Sequence, residues 1–120
     1  MKENRIIVAG GRDFNDYSLL DRKLNHILQR LAPDNTAIVS GMARGADKLG
    51  VRWARKNNFD VIPFPADWNT YGKKAGFLRN AQMANMATHL IAFWDGKSSG
   101  TANMIELATN KGLKVVIIDY

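Results

Sequence analysis

Two strings in this 120-residue chain carry residue types suited to holding an anion, Ser40-Gly41-Met42-Ala43-Arg44-Gly45-Ala46-Asp47 and Asp95-Gly96-Lys97-Ser98-Ser99-Gly100-Thr101. Each stands between an apolar run and a stretch with helical spacing. Each therefore reads as strand, glycine-rich turn and helix start. Glycines let a backbone approach a ligand closely, and the unpaired amides of a helix start attract negative charge. Arg44 adds a planar, permanently charged fork, and Ser98, Ser99 and Thr101 add hydroxyls. The chemistry on offer is phosphate or carboxylate binding. The plain alternative is a pair of tight turns, with Asp47 complementing the start of its helix.

Two further loops hold unusual residues. Gly10-Gly11-Arg12-Asp13 follows the first apolar run, and Pro65 to Lys74 is a long stretch rich in aromatic and basic groups. Arg12 and Arg44 are suited to clamping a phosphate, or to pairing with Asp13 or Asp47. Trp68 and Tyr71 offer faces for stacking a base, or contacts for a core or a second copy. Lys74 and Arg79 reach a phosphate or form a solvated helix face. Asp67 and Asp95 are candidates for ribose hydroxyls, for activating water, or for simple turn-making. The dinucleotide fingerprint is absent, because Gly10-Gly11 does not continue as G-x-G-x-x-G. A Walker lysine motif is also absent: its first glycine would fall at position 91, which is isoleucine. His26 and His89 have no ligand partner nearby in sequence and are read as structural.

The elements that must position these loops follow from periodicity. Arg5 to Ala9 is a continuous β-branched run, the pattern of a strand covered on both faces. Tyr17, Leu20, Leu24, Ile27, Leu28 and Leu31 form one helical stripe. Further strands are expected near 36–39, 59–64, 89–94 and 113–118, and further helices near 46–56, 75–86 and 102–110. Pro63 and Pro65 mark the third strand as an edge. The order β-α-β-α-β-α-β-α-β predicts a single Rossmann-like α/β/α domain over residues 1–120, with a five-stranded, mainly parallel sheet. All four unusual loops follow strands, so this architecture gathers them at the carboxyl edge.

Composition sets the outer limits. Lys and Arg number 17 against 11 Asp and Glu, a net charge of +6 that favours anionic partners. The absence of cysteine excludes disulfides and thiolate metal sites. No cofactor or metal is expected. No apolar run has bilayer length and no signal-peptide pattern is present, so the expectation is a cytoplasmic protein without a membrane partner.

Together, four blocks resemble the SLOG superfamily, Rossmann-like domains that include DprA and the LOG nucleotide hydrolases. They are Ser40-Gly41-x-Ala43-Arg44-Gly45-Ala46-Asp47, Gly96-x-x-x-Gly100-Thr101, Gly10-Gly11-Arg12-Asp13-Phe14, and Pro65-Ala66-Asp67-Trp68 continuing to Gly72-Lys73, Gly76 and Arg79-Asn80. The last two are similar to the small YspA/YpsA-related branch. The resemblance implies a nucleotide or nucleotide-derived ligand held by the two glycine turns, in a sensing or sequestering role. The expected ligand-binding set is Gly10, Gly11, Arg12, Asp13, Ser40, Gly41, Arg44, Gly45, Asp67, Trp68, Lys74, Arg79, Asn80, Asp95, Gly96, Ser98, Ser99, Gly100 and Thr101. A LOG-like hydrolase of N-glycosidic bonds is the alternative. The LOG-type glutamate is missing at its spacing after Gly100-Thr101, so Glu106, Asp95 or Asp67 would have to supply the carboxylate. A DprA-like single-stranded nucleic-acid binder is the third reading. A homodimer or higher homo-oligomer is expected from the superfamily and from the area of Trp53, Trp68 and Trp94.

Overall fold

The computed structural model describes residues 1–120. Five strands form one all-parallel sheet in the order β3-β2-β1-β4-β5. They are β1 (Asn4–Gly10), β2 (Thr36–Ser40), β3 (Asp60–Pro63), β4 (His89–Trp94) and β5 (Lys114–Asp119). The central strands are the continuous apolar runs. Ile6, Ile7, Val8, Ile38, Val39, Leu90 and Ile91 are buried, because a parallel strand with helices on both faces has no wet side. β3 occupies an edge, where Pro63 removes no interior ladder bond.

Helices cover both faces. On one face, α1 (Tyr17–Ile27) and α2 (Ala46–Lys56) bury Leu20, Leu24, Trp53 and Ala54 against Ile6, Val8 and Ile38. On the other, α4 (Ala75–Met86) and α5 (Ser99–Asn110) bury Met83, Ala84, Met104 and Ala108 against Ile7, Ala9 and Val39. The result is a three-layer, Rossmann-like α/β fold, as the alternating pattern predicts. The expected loop 65–74 differs in one respect. It contains a four-residue helix, α3 (Trp68–Tyr71), and a 3₁₀ turn at Gly72–Lys74. Asp67 caps α3 by accepting the Thr70 amide at 3.1 Å. No helix is long and apolar enough to cross a membrane.

The strand order reverses between β1 and its two neighbours, β2 and β4. That arrangement opens a crevice beyond the carboxyl ends of these strands. Gly10 ends β1 where space is tight: a side chain there would collide with the Phe93 carbonyl and with Ala46 at the start of α2.

Candidate functional site

A cleft of about 610 Å³ lies at this crevice. Residues from five parts of the chain line it. The β1–α1 loop gives Gly10, Gly11, Arg12 and Asp13, and the turn after β2 gives Ala43, Arg44 and Asp47. Trp68, Lys73, Arg79 and Asn80 come from the α3–α4 region, and Asp95, Ser98, Ser99, Gly100 and Thr101 from the turn after β4. Tyr120 closes the far side, just beyond the last β4–β5 pair, Trp94 and Asp119.

The turn after β4 is built for an open helix start. The Asp95 carboxylate accepts the Lys97 and Ser98 amides at 2.8 and 2.9 Å, which holds its pKa below the usual carboxylate range. Ser98 caps α5, its Oγ accepting from the Thr101 amide, and the Ser98 carbonyl accepts the Ala102 amide. The Ser99 and Gly100 amides have no partner in the protein. Gly100 has open space where a side chain would stand, so this helix start faces the cleft unobstructed.

The turn after β2 is crowded from within, although its Arg44 and Gly45 amides have no partner in the protein. Gly45 sits at φ 82° and is pressed against the Gly11 and Arg12 carbonyls, while the Ala46 amide donates to Gly11 at 3.2 Å. Ser40 Oγ accepts the Met42 amide and Asp47 Oδ2 accepts the Ala43 amide, at 3.1 and 3.3 Å. Asp47 is 5% exposed. Burial raises its pKa to about 6, against the opposing pull of Arg79, the Ala43 amide, Arg12 and the Gly10 amide.

Arg79 is 8% exposed and ties the layers together. Its Nε donates to Asn80 Oδ1 at 3.0 Å, and its Nη1 donates to the Gly41 carbonyl and, at 3.5 Å, to the Phe64 carbonyl. Burial lowers its pKa, and Asp47 resists that fall. Asn80 Nδ2 reaches the Gly100 carbonyl at 3.3 Å and Asn103 Oδ1 at 3.0 Å, linking α4 to α5. Arg12 lies over the Trp68 ring at 5.7 Å, and Arg44 stands 3.8 Å from Asp13 in an exposed pair of little energetic weight.

The cleft therefore brings together Gly10, Gly11, Arg12, Asp13, Arg44, Trp68, Arg79, Asn80, Asp95, Ser98, Ser99, Gly100 and Thr101. Six residues of the expected set lie outside its wall. Ser40 is buried beneath the first turn, and Gly45 is packed on the β1–α1 loop. Asp67 is committed to capping α3. Gly96 supplies a left-handed turn at φ 80°, and Lys73 takes the place expected of Lys74. Gly41 borders a separate hollow of about 340 Å³ beside Arg79. Of the three candidate acids, Glu106 is exposed on α5 away from the cleft, and only Asp95 lines it.

Sequence reasoning missed Asp47, Lys97, Phe77 and Tyr120 as lining residues. The signal for Asp47 was present, an acid two residues after a turn glycine, but it fits helix-dipole compensation equally well. Tyr120 carried no signal. Its place depends on the β4–β5 register and on its edge-on contact with Phe14 at 4.7 Å.

A Rossmann-like domain with a polar cleft at its topological switch point is the class that fold and site define. The YspA, cpYpsA-related SLOG family model matches residues 4–71, and the chain belongs to this family. It is 36% identical over 118 residues to the Gene 61 protein of Mycobacterium phage D29, covering 93% of this chain and 94% of that protein. The fold is similar to that of DNA processing protein A from Helicobacter pylori, a structure described for its single-stranded DNA binding mode. The TM-score is 0.66 at 17% identity, with 97% of this chain and 65% of that chain covered. The chain thus spans just under two thirds of that structure.

Proposed function

We propose that the cleft binds a nucleotide or nucleotide-derived small molecule in a sensing or sequestering role. The observation that carries this reading is the open start of α5. Two unpaired amides face a cleft that Arg12, Arg79 and Lys97 also line. A phosphate placed there gains amide donors, the helix dipole and charge-assisted bonds together. Trp68, half exposed at the rim, gives a base a ring to stack on. Membership of the SLOG family and the position at the switch point support the same reading.

Calorimetric titration with nucleoside mono-, di- and triphosphates and ADP-ribose tests it, with micromolar binding to at least one compound expected. Absence of binding by all of them at millimolar concentration overturns it.

The hydrolase alternative is weaker on these contacts, because Glu106 and Asp67 stand away from the cleft and Asp95 is engaged by two amides. A second reading, single-stranded nucleic-acid binding, draws on Trp68, Tyr71 and Phe77, all exposed and flanked by Arg12 and Lys73. Oligonucleotide affinity that falls steeply with salt supports it, and salt-independent or absent binding removes it. Self-association is a further proposal, resting on exposed Phe77 and Leu78 of α4. Light scattering that finds only monomer at high micromolar concentration refutes it.

A further inference from the structure

The cleft has one wall that repels phosphate, and that wall sits beside the turn whose sequence looks most like a phosphate loop. Asp47 lines the cleft, yet the residue is 95% buried. The Ala43 amide donates to its Oδ2 and the Gly10 amide stands near the carboxylate, while no protein donor closes a well-formed hydrogen bond on Oδ1. Oδ1 is not sealed inside the protein either, since the buried polar side-chain atoms without a partner are Tyr17 Oη and Thr36 Oγ1 alone. An ionised carboxylate only accepts hydrogen bonds, and its unfilled lone pairs call for a donor. A phosphate oxygen brings none and adds a second negative charge. A cationic donor is disfavoured on balance, because Arg12, Arg44, Lys73, Arg79 and Lys97 outnumber Asp13, Asp47 and Asp95 in the lining of the same cleft. The chemistry that remains is a neutral donor.

We propose that Asp47 accepts the sugar hydroxyls of a ribonucleotide and so makes the cleft selective for ribose over deoxygenated sugars. This rests on the nucleotide reading above and assigns its parts. The phosphate occupies the start of α5, and the Ser40–Gly45 turn holds no phosphate. α2 follows β2 and α5 follows β4, with β1 between them, and Asp47 at the start of α2 lines the same cleft as Ser99 and Gly100 at the start of α5. The base then projects toward Trp68 and the Arg12 guanidinium stacked on it. Burial raises the Asp47 pKa to about 6, and Arg79, Arg12 and two peptide dipoles keep it from rising further, so the carboxylate is mostly ionised at pH 7.

The test compares AMP and GMP with their 2′,3′-dideoxy counterparts by calorimetry, on the full chain and on Asp47→Asn. The ribonucleotides are expected to bind the unaltered protein about ten- to a hundredfold more tightly, the range of a hydrogen bond to a charged group. In Asp47→Asn the ratio is expected to fall to about threefold or less. Equal binding of ribo and dideoxy forms by the unaltered protein overturns the proposal while leaving the nucleotide reading intact. An undiminished ratio in Asp47→Asn does the same. Failure of all four compounds to bind removes AMP and GMP as ligands and this assignment with them, and the wider nucleotide panel then decides the broader reading. The comparison on the unaltered protein stands even if the variant does not fold.

Discussion

The turn after β2 and the turn after β4 look alike as strings of glycine, hydroxyl and basic residues, and the fold packs them differently. In the first, three donors are spent internally, Met42 on Ser40, Ala43 on Asp47 and Ala46 on Gly11, while the Arg44, Gly45, Asp47 and Lys48 amides have no partner in the protein. Arg79 fills the space over Gly41. In the second, Asp95 and Ser98 satisfy the flanking amides and leave those of Ser99 and Gly100 exposed to the cleft. A glycine-rich turn at a helix start is thus either a binding surface or a packing joint. Which one it is depends on what the rest of the chain brings against it.

Four substitutions press on this difference. Arg79→Met should have the largest effect. It leaves the Gly41 and Phe64 carbonyls without their donor and Asp47 without its buried counter-charge, at a cost of about 3–5 kcal/mol. Urea denaturation measures this, and a loss under about 1 kcal/mol would mean the first turn does not depend on its internal fill. Gly45→Ala comes next. Its left-handed backbone and the two carbonyls pressed on it predict a loss of about 3 kcal/mol, read as a lowered denaturation midpoint. An unchanged midpoint would contradict the packing-joint view.

Asp47→Asn should act in the other direction. The folded-state pKa is raised from 3.8 to about 6, so the folded chain holds this proton more tightly than the unfolded chain. That contribution is present in full below about pH 3.8 and is lost as pH rises through about 6. At pH 7 the ionised carboxylate destabilises the fold, and Asn is expected to restore up to about 3 kcal/mol. At pH 3.5 the variant and the parent should match. A variant less stable than the parent at pH 7 would show that the anion supports the turn.

Gly100→Ala completes the contrast. Nothing stands within 4 Å of the added methyl, and the position lies in the first turn of α5, so stability should change by no more than about 1 kcal/mol. Nucleotide binding should nevertheless weaken at least tenfold, because the methyl occupies the mouth of the open amides. Unaltered affinity for AMP or ADP-ribose in this variant would move the phosphate elsewhere in the cleft.

Much of the fold was legible because burial on both faces of a parallel sheet leaves uninterrupted apolar runs. Ile6 to Val8, Ile38 and Val39, and Leu90 to Phe93 are all buried. The amphipathic stripe of α1 and the prolines in and just after β3 were equally direct signals. α3 was missed because a helix of four residues has no period to read, only the Asp67 cap. The site was legible as a set of loops but not as a wall. Gly45 and Gly100 carry the same sequence signal, and only one of them faces open space.

Local chemistry, written in the order of residues, determined the alternating elements, the edge strand and the gathering of four loops at one end of the sheet. Backbone geometry and apolar periodicity act over a few residues, and neighbouring side chains suffice to express them. Only the tertiary structure decided that Asp47 closes its own turn, that Arg79 crosses from α4 to hold Gly41, and that Tyr120 reaches Gly11. Those contacts join positions tens of residues apart, and their energies depend on burial, which no stretch of sequence possesses until the layers have closed around it.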